Sequence, residues 1–248
     1  MSLFDSAKWD RKKGRPEPIS ALNKILEQEN GEEFVDLRLI APNAVVDKEH
    51  IIPYCRVTVA EMLHSATEKI PDYLHLAVTE AWRPISRQKG IYNKMMELVE
   101  EKYPKAPYAL KKRMVNRFVA PYDQKAPPGH CTGAALDVWL VDQNYERIDV
   151  SSPYTFAQSA ATYSLGLSQD AQKNREILVN AMLDSGFSNC RDEFWHYSYG
   201  DAGWAVRIGE SQCFYGMVNL PDNQYAHHEK IWWEKHLPHL FDIIHKEM

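Results

Sequence analysis

The segment 134–141 constrains the fold most strongly, because it is apolar throughout except for Asp137. Such a run, following a loop rich in proline and glycine, indicates a buried β-strand. A buried carboxylate is costly to desolvate alone and needs a charged or metal partner. Asp137 therefore predicts a polar site built into the sheet. The alternative is an edge position or a turn contact for this carboxylate.

Hydrophobic periodicity predicts helices first and then strands in close succession. In the N-terminal half, the predicted helices cover residues 20–29, a segment that begins with the capping box Thr58-x-x-Glu61, residues 86–103 with Ser86 as the cap, and residues 107–119. In the C-terminal half, they cover residues 168–185, closed by Gly186, and a tail from about residue 224 that breaks near Pro238. The predicted strands cover residues 34–40, 73–82, 134–141, 194–199, 204–208 and 212–218.

This order of elements predicts an α+β fold with a central antiparallel sheet flanked by helices. The chain contains no linker-like stretch. We therefore expect residues 1–248 to form a single domain, in which residues 219–248 are a helical C-terminal tail.

Composition and charge limit the partners. The 29 basic and 34 acidic residues leave a net charge of −5, which excludes a broadly basic nucleic-acid-binding protein. No apolar run reaches the roughly 18 residues of a membrane-spanning helix, so no membrane partner is expected. The first residues lack an apolar signal segment, and the four cysteines form no Cys-x-x-Cys pair. We therefore expect reduced thiols and a cytoplasmic protein.

Polar residues break the local pattern in two further places. Glu193 and His196 lie in an aromatic segment, and Arg83 lies between a tryptophan and a proline at the end of a predicted strand. Taken singly, His196 could be a hydrogen-bonded core histidine and Arg83 a surface ion-pair partner. Together with His130 and Asp137, these residues supply the groups of a catalytic zinc hydrolase: three protein ligands, a base and an oxyanion stabiliser.

The same residues carry a family resemblance. The pattern His130-x-x-Gly133-x-Ala135-x-Asp137, followed by Glu193-x-Trp195-His196, resembles the zinc signature of the VanX-type D-alanyl-D-alanine dipeptidases. These enzymes belong to the wider Hedgehog and D,D-peptidase fold group. The resemblance covers about residues 30–210, and the flanking matches are Val35-Asp36-Leu37-Arg38, Ala81-Trp82-Arg83-Pro84, Asn174-Arg175 and Gly186-Phe187.

The resemblance implies a zinc metallopeptidase. One Zn²⁺ per chain would be held by His130, Asp137 and His196, with Glu193 as general base and Arg83 stabilising the oxyanion. The implied reaction is hydrolysis of a small peptide, D-Ala-D-Ala or a related D-amino-acid dipeptide. The alternatives are a D,D-carboxypeptidase acting on longer cell-wall peptides and a non-catalytic zinc module that binds a peptide or protein.

Two departures from the family pattern concern the substrate. Pro128 stands where the family usually has serine, and Tyr154-Thr155 stands where the dipeptidases have a Phe-Asp pair. The resemblance implies that the acid of that pair meets the free ammonium of the dipeptide, so its absence predicts weakened or altered specificity. Asp201 or Asp170 could replace the missing acid.

The tail predicts an apolar helical face that covers either the core or a second copy in a homo-oligomer. This face comprises Ile231, Trp232, His236 and Leu237. The tail also contains His227-His228-Glu229-Lys230, which we reject as an H-E-x-x-H metal motif because position 232 is tryptophan. Cys131 and Cys190 adjoin the site residues, and we expect them to be buried packing residues, with stray metal ligation or oxidation as the alternative.

Overall fold

The computed structural model describes residues 13–46, 48–154 and 159–247. The strands are β1 (Leu26–Glu27), β2 (Phe34–Asp36), β3 (Tyr54–Arg56), β4 (Leu74–Glu80), β5 (Ala135–Asp142), β6 (Ser188–Asn189), β7 (His196–Ser198) and β8 (Gln212–Cys213). The α-helices are α1 (Ile19–Leu22), α2 (Leu37–Ile40), α3 (Val57–Thr67), α4 (Ile85–Lys102), α5 (Tyr108–Val115), α6 (Gln169–Leu183), α7 (Ala202–Ile208) and α8 (Ala226–Glu247). Short 3₁₀ turns span Gly129–Thr132 and Asp222–Gln224.

The central sheet has four strands in the order β4-β5-β7-β6, and every neighbouring pair is antiparallel. Strands β2 and β3 form an antiparallel pair, and β1 pairs with β8 in parallel. Helices and a mainly antiparallel sheet confirm the predicted α+β class. The single domain stays a prediction.

The main hydrophobic core lies between this sheet and helices α3 and α6. Its fully buried side chains include Leu63, Leu76, Leu136, Leu140 and Leu178. Because side chains alternate along a strand, the core-facing residues of β5 leave Asp137 on the opposite face. The alternation that buries the sheet thus also directs one carboxylate away from the core.

Helices α4, α5 and α8 form a second apolar cluster. Met95, Val99 and Val115 are fully buried in it, and Trp232 from α8 is 7% exposed. The tail helix therefore packs on the chain's own residues. Of the two expectations for its apolar face, this agrees with the one in which the face covers the core. No helix among the described residues combines the length and apolarity needed to cross a bilayer.

Several predicted elements are wrong because tertiary contacts override the local pattern. The predicted strand 34–40 ends at Asp36, whose Oδ1 accepts the Arg38 amide at 3.0 Å and caps α2. The predicted helix 20–29 shortens to α1, since residues 26–27 pair with β8. The predicted strand 204–208 is helix α7, capped by Asp201, and only the first two residues of 212–218 form a strand.

Helix ends also differ from the sequence pattern. Helix α3 begins before Thr58, whose amide donates to Glu32 Oε1 at 2.6 Å, so the capping box does not form. Ser86 lies inside α4, which begins after Pro84, and α5 ends before the predicted residue 119. Helix α8 continues through Pro238, since a proline removes one backbone hydrogen bond and can bend a helix without ending it.

The predicted beginning of α6 and its closing glycine are confirmed, although the helix ends at Leu183 and not at residue 185. Ser168 Oγ accepts the Ala171 amide at 3.1 Å at the beginning of the helix. At its end, Gly186 has φ +98°, and the Phe187 amide donates to the Met182 carbonyl. Glycine suits this left-handed position because it has no Cβ.

Candidate metal centre

The sheet register places three polar residues side by side. Asp137 in β5 pairs with Glu80 in β4 on one side and with His196 in β7 on the other. His130 arrives from the 3₁₀ turn that precedes β5, and Gly133, at φ +70°, lets the chain reverse between that turn and the strand. Two imidazoles and a carboxylate thereby converge at one face of the sheet.

The candidate ligand atoms lie close together. Asp137 Oδ1 is 3.0 Å from His196 Nδ1 and 3.3 Å from His130 Nε2. One ligand atom from each of the three residues lies within 4.8 Å of the others. Each of the three side chains is less than a fifth exposed, so the cluster is largely shielded from water.

A backbone contact orients the His130 ring. Its Nδ1 lies 2.9 Å from the Ala81 carbonyl oxygen, which can only accept a hydrogen bond. Nδ1 therefore donates to this carbonyl, and Nε2 is the ring nitrogen on the side of Asp137. A ring nitrogen tied to a carbonyl is the usual support of a metal-binding histidine.

This donor set suits zinc. Zinc takes histidine nitrogen and carboxylate oxygen at about 2.0–2.2 Å in tetrahedral geometry, so two of its ligand atoms lie about 3.3–3.6 Å apart. The 3.3 Å distance from Asp137 Oδ1 to His130 Nε2 falls in this range, and the 3.0 Å distance to His196 Nδ1 is shorter. Three protein ligands also leave a fourth position open, as in catalytic zinc sites.

The two histidines change the pKa of the Asp137 carboxyl group. Burial alone would raise the pKa of Asp137, but charge interaction and hydrogen bonding with His130 and His196 outweigh burial and lower it. Burial would likewise lower the pKa of His196, yet its hydrogen bond and charge interaction with Asp137 raise that pKa. These interactions favour an ionised carboxylate at Asp137 beside the two imidazoles.

Glu193 lies three residues before His196, in the turn that leads into β7. The His196 amide donates to the Glu193 carbonyl oxygen at 3.1 Å, which ties the two residues together. Burial raises the pKa of the Glu193 carboxyl group, and the charge of Asp137 adds to this, while His196 and His130 act in the opposite direction. A carboxyl group with a raised pKa is suited to receive a proton.

Arg83 is held next to the cluster by its backbone and its side chain. Its amide donates to the His130 carbonyl oxygen at 3.1 Å. Its Nη1 donates to Gln88 Oε1 at 2.8 Å and its Nη2 to Glu80 Oε2 at 3.1 Å. Its Nε is buried and has no hydrogen-bond partner among the described residues.

All five predicted site residues line one cavity of about 500 Å³. This volume lies within the roughly 300–1,000 Å³ that is usual for small-molecule sites. Apolar side chains from the second cluster, including Ile91, Met95 and Trp232, form part of its wall. The structure thus brings together the residues that the sequence singled out separately.

Two residues that hold the guanidinium of Arg83, Glu80 and Gln88, were not predicted from the sequence. Glu80 carries the same signal as Asp137, since it is a carboxylate near the end of a mostly apolar strand. Gln88 lies on the first turns of α4, fully buried, and gives no comparable signal in the sequence.

The two candidates for the missing acid, Asp201 and Asp170, differ in their position relative to the cavity. Asp201 lines the cavity and is 2% exposed, while its Oδ1 accepts hydrogen bonds from Ser198 Oγ and the Trp204 amide. Asp170 is exposed at the start of α6 and does not line the cavity. Thr155 lies outside the described residues. Glu17, which no sequence pattern singled out, lines the cavity and pairs through Oε2 with Arg207 at 2.8 Å.

The cysteines are free, and neither Cys131 nor Cys190 belongs to the three-residue ligand group. Burial raises the pKa of the Cys131 thiol to about 12 and that of Cys190 well above its usual value. Both thiols are therefore protonated near neutral pH, which fits the expected packing role.

Comparison with known proteins supports the resemblance. Residues 37–228 match the peptidase M15 family model, described as D-ala-D-ala dipeptidase. A D-alanyl-D-alanine dipeptidase of Synechocystis sp. is 33% identical over 110 residues, which cover 37% of this chain and 44% of that protein. The chain thus matches less than half the length of this curated relative.

Two solved structures are similar in part. A zinc complex of a mutant of the vancomycin resistance D,D-pentapeptidase VanY, from a VanB-type cassette, aligns with 76% of this chain and 96% of its own, at 15% identity and a TM-score of 0.41. VanYB in complex with D-alanine-D-alanine aligns with 82% of this chain and 91% of its own, at 14% identity and a TM-score of 0.42. Because the family model spans most of the sequence, the chain belongs to the D-ala-D-ala dipeptidase family of metallopeptidases.

Proposed function

We propose that this protein hydrolyses the peptide bond of a small dipeptide, D-Ala-D-Ala or a related D-amino-acid dipeptide, with a bound zinc ion. The observation that carries the proposal is the cluster of His130, Asp137 and His196 in one cavity with Glu193 and Arg83. Family membership supports the same reaction class.

The three clustered residues would hold one zinc ion per chain. Zinc at this position would supply a Lewis acid and lower the pKa of water towards about 7. A purely structural zinc site is usually closed and has no need of a nearby base or guanidinium. Glu193 and Arg83 therefore favour an enzyme over the non-catalytic zinc module.

Glu193 would act as general base and then as general acid. Its carboxylate takes a proton from the attacking water and returns it to the leaving nitrogen. The raised pKa of Glu193 brings its proton affinity closer to neutral pH, where such transfer is most effective. This kind of catalysis is worth about 10²–10⁴-fold in rate.

Arg83 would stabilise the negative charge that develops on the carbonyl oxygen. Its side chain lines the cavity, and Nη1 and Nη2 each have one N–H engaged, which leaves the second N–H of each to donate to substrate. Losing one donor of this kind costs about 10²–10³-fold in kcat.

The first test compares D-Ala-D-Ala hydrolysis by the zinc-loaded protein and by Glu193→Gln at matched zinc content. We expect the variant to lose about 10²–10⁴-fold in kcat. Glu210→Gln, an exposed glutamate on the same chain, is the matched control and should keep full activity. Equal rates for Glu193→Gln and the parent would refute the assigned base. Zinc binding without turnover of any peptide would favour the non-catalytic module.

A second test separates the dipeptidase from the D,D-carboxypeptidase, which the family assignment fits equally well. Free D-Ala-D-Ala, its N-acetylated form and a longer peptide ending in D-Ala-D-Ala are offered in parallel. Cleavage of the free dipeptide alone would indicate an ammonium site and contradict the expected weakening of strict specificity. Cleavage of the longer peptide would favour the carboxypeptidase.

Location and assembly complete the proposal. The four cysteines are free thiols, which is typical of a reducing compartment, and we propose a cytoplasmic location that cell fractionation would test. A homo-oligomer through the tail stays a prediction that light scattering would check.

A further inference from the structure

The guanidinium of Arg83 is the end of a longer chain of charges. Glu80 accepts from Arg83 through Oε2 and, at 3.0 Å, from Arg87 Nη1 through Oε1. Arg87 in turn donates through Nε to Glu229 Oε2 at 2.7 Å. Glu229 lies on the C-terminal helix α8, 142 residues from Arg87.

The charged side chains of this series are largely buried, which strengthens the interactions between them. The side chain of Arg87 is 0% exposed, while those of Glu80 and Glu229 are 12% and 19% exposed. Burial alone would raise the pKa of Glu80, but the charges of Arg83 and Arg87 lower it, so this carboxylate stays ionised. Interactions between buried charges are screened much less than those on the surface.

The four charges balance in pairs. Two guanidinium groups and two carboxylates sum to zero, and Glu80 contacts both arginines while Glu229 contacts Arg87. Without the charge of Glu229, Glu80 alone would compensate both arginines. The fully buried Arg87 would then compete with Arg83 for the Glu80 carboxylate.

Two tryptophans of α8 contact Arg87 and Glu229 in this series of charged side chains. The Arg87 guanidinium carbon lies 5.0 Å from the centre of the Trp232 ring. The second oxygen of Glu229, Oε1, accepts from Trp233 Nε1 at 2.8 Å. Glu229 is thus held in place by two partners, and it is not a freely moving surface carboxylate.

We propose that helix α8 positions the catalytic arginine, through Glu229, Arg87 and Glu80. This inference rests on the proposed role of Arg83 and adds three positioning residues to it. An oxyanion donor must already point in the productive direction before the reaction begins, so the orientation of Arg83 decides its value. The tail of the protein is thereby part of the active site's support.

The test uses Glu229→Gln in the full-length, zinc-loaded protein. The amide keeps the shape and an acceptor oxygen but removes the charge. We expect kcat for D-Ala-D-Ala to fall on the order of 10-fold, with KM changed by less than about 3-fold, because the loss concerns the transition state. Glu234→Gln, an exposed glutamate on the same helix, is the matched control and should leave kcat unchanged.

A binding measurement gives an independent readout. A phosphinate analogue of the dipeptide, in which a tetrahedral phosphorus replaces the scissile carbonyl, imitates the oxyanion. Its affinity for Glu229→Gln should fall by about the same factor as kcat/KM. Zinc content and the melting temperature are recorded for every variant, so that unfolded protein is subtracted from the rates.

A double-mutant cycle with Arg83→Ala separates positioning from general damage. Arg83→Ala alone should lower kcat by about 10²–10³-fold. In that background Glu229→Gln should change kcat by less than about 2-fold, because there is no guanidinium left to position. An equal loss in both backgrounds would refute the inference, and so would an inactive Arg83→Ala beside an unaffected Glu229→Gln. An unchanged kcat in Arg83→Ala would refute the role of Arg83 itself.

Discussion

Replacement of Gly133 by alanine tests how the turn between His130 and Asp137 is built. Gly133 has φ +70°, and a Cβ there would lie 2.0 Å from Cε2 and 2.5 Å from Cζ of Phe34. Alanine at positive φ costs about 1–2 kcal/mol. Moving the Phe34 ring adds about 1–3 kcal/mol of overpacking. We expect Gly133→Ala to lower the free energy of unfolding by about 2–5 kcal/mol.

The chain contains a matched control for the backbone strain. Gly31 has φ +73°, and a Cβ there would meet no atom within 4 Å. Gly31→Ala should therefore cost only the strain, about 1–2 kcal/mol. The difference between the two variants isolates the clash with Phe34.

Urea unfolding of the metal-free proteins measures both free energies, with the slopes compared to confirm a common unfolded state. The clash should disappear when the ring is removed, so Gly133→Ala in a Phe34→Ala background should cost no more than Gly31→Ala. A difference below about 0.5 kcal/mol between the free energies lost in Gly133→Ala and in Gly31→Ala would refute the reasoning. Differences of that size also arise between unrelated sites. An undiminished cost in the Phe34→Ala background would refute it as well.

Two further predictions concern sites near and far from the cluster. A Cβ at Gly129 would lie 2.4 Å from Asp201 Oδ2, so Gly129→Ala should displace the adjoining His130. We expect this variant to bind zinc more weakly by about 10-fold or more, as a competition titration with a chelator would measure. An unchanged zinc affinity would contradict this prediction. Burial and the neighbouring His236 lower the pKa of His50 to about 4. The unfolded chain takes up this proton near pH 6.5 and the folded chain only near pH 4, so stability falls as the pH drops between these values. Because solvent screens a half-buried ring, we expect a loss of about 1 kcal/mol from pH 7 to 5. Urea unfolding of His50→Gln at both pH values should show a flatter dependence, and an unchanged one would contradict the assignment.

Local patterns singled out the residues that the structure brings together in one cavity. Asp137 and His196 stand out because polar groups interrupt apolar strands, and His130 precedes one of those strands by a short turn. Their convergence follows from strand register, since Asp137 and His196 face each other directly in the ladder. That pairing connects positions 59 residues apart, and no local pattern encodes it.

The support of Arg83 could not be predicted from the sequence for the same reason. Glu80 and Arg87 lie close to Arg83 along the chain, yet Glu229 reaches them only through the packing of α8 on α4. The motif-like residues around Glu229 look in the sequence like an incomplete metal site. In the structure Glu229 is an ion-pair partner of a buried arginine.

The sequence by itself determined the long elements and the residue types of the candidate metal centre. Strand β4 and helices α3, α4 and α6 follow from periodicities of 2 and 3.6, because burial of one face imposes them over many residues, and β5 follows from its apolar run. Short segments carry too few residues for that signal. Tertiary contacts alone decided whether residues 26–27 pair with β8, whether residues 204–208 coil into α7 and whether Glu229 of α8 pairs with Arg87. Those contacts join distant parts of the chain, and their free energies exceed the weak local preferences of a few residues.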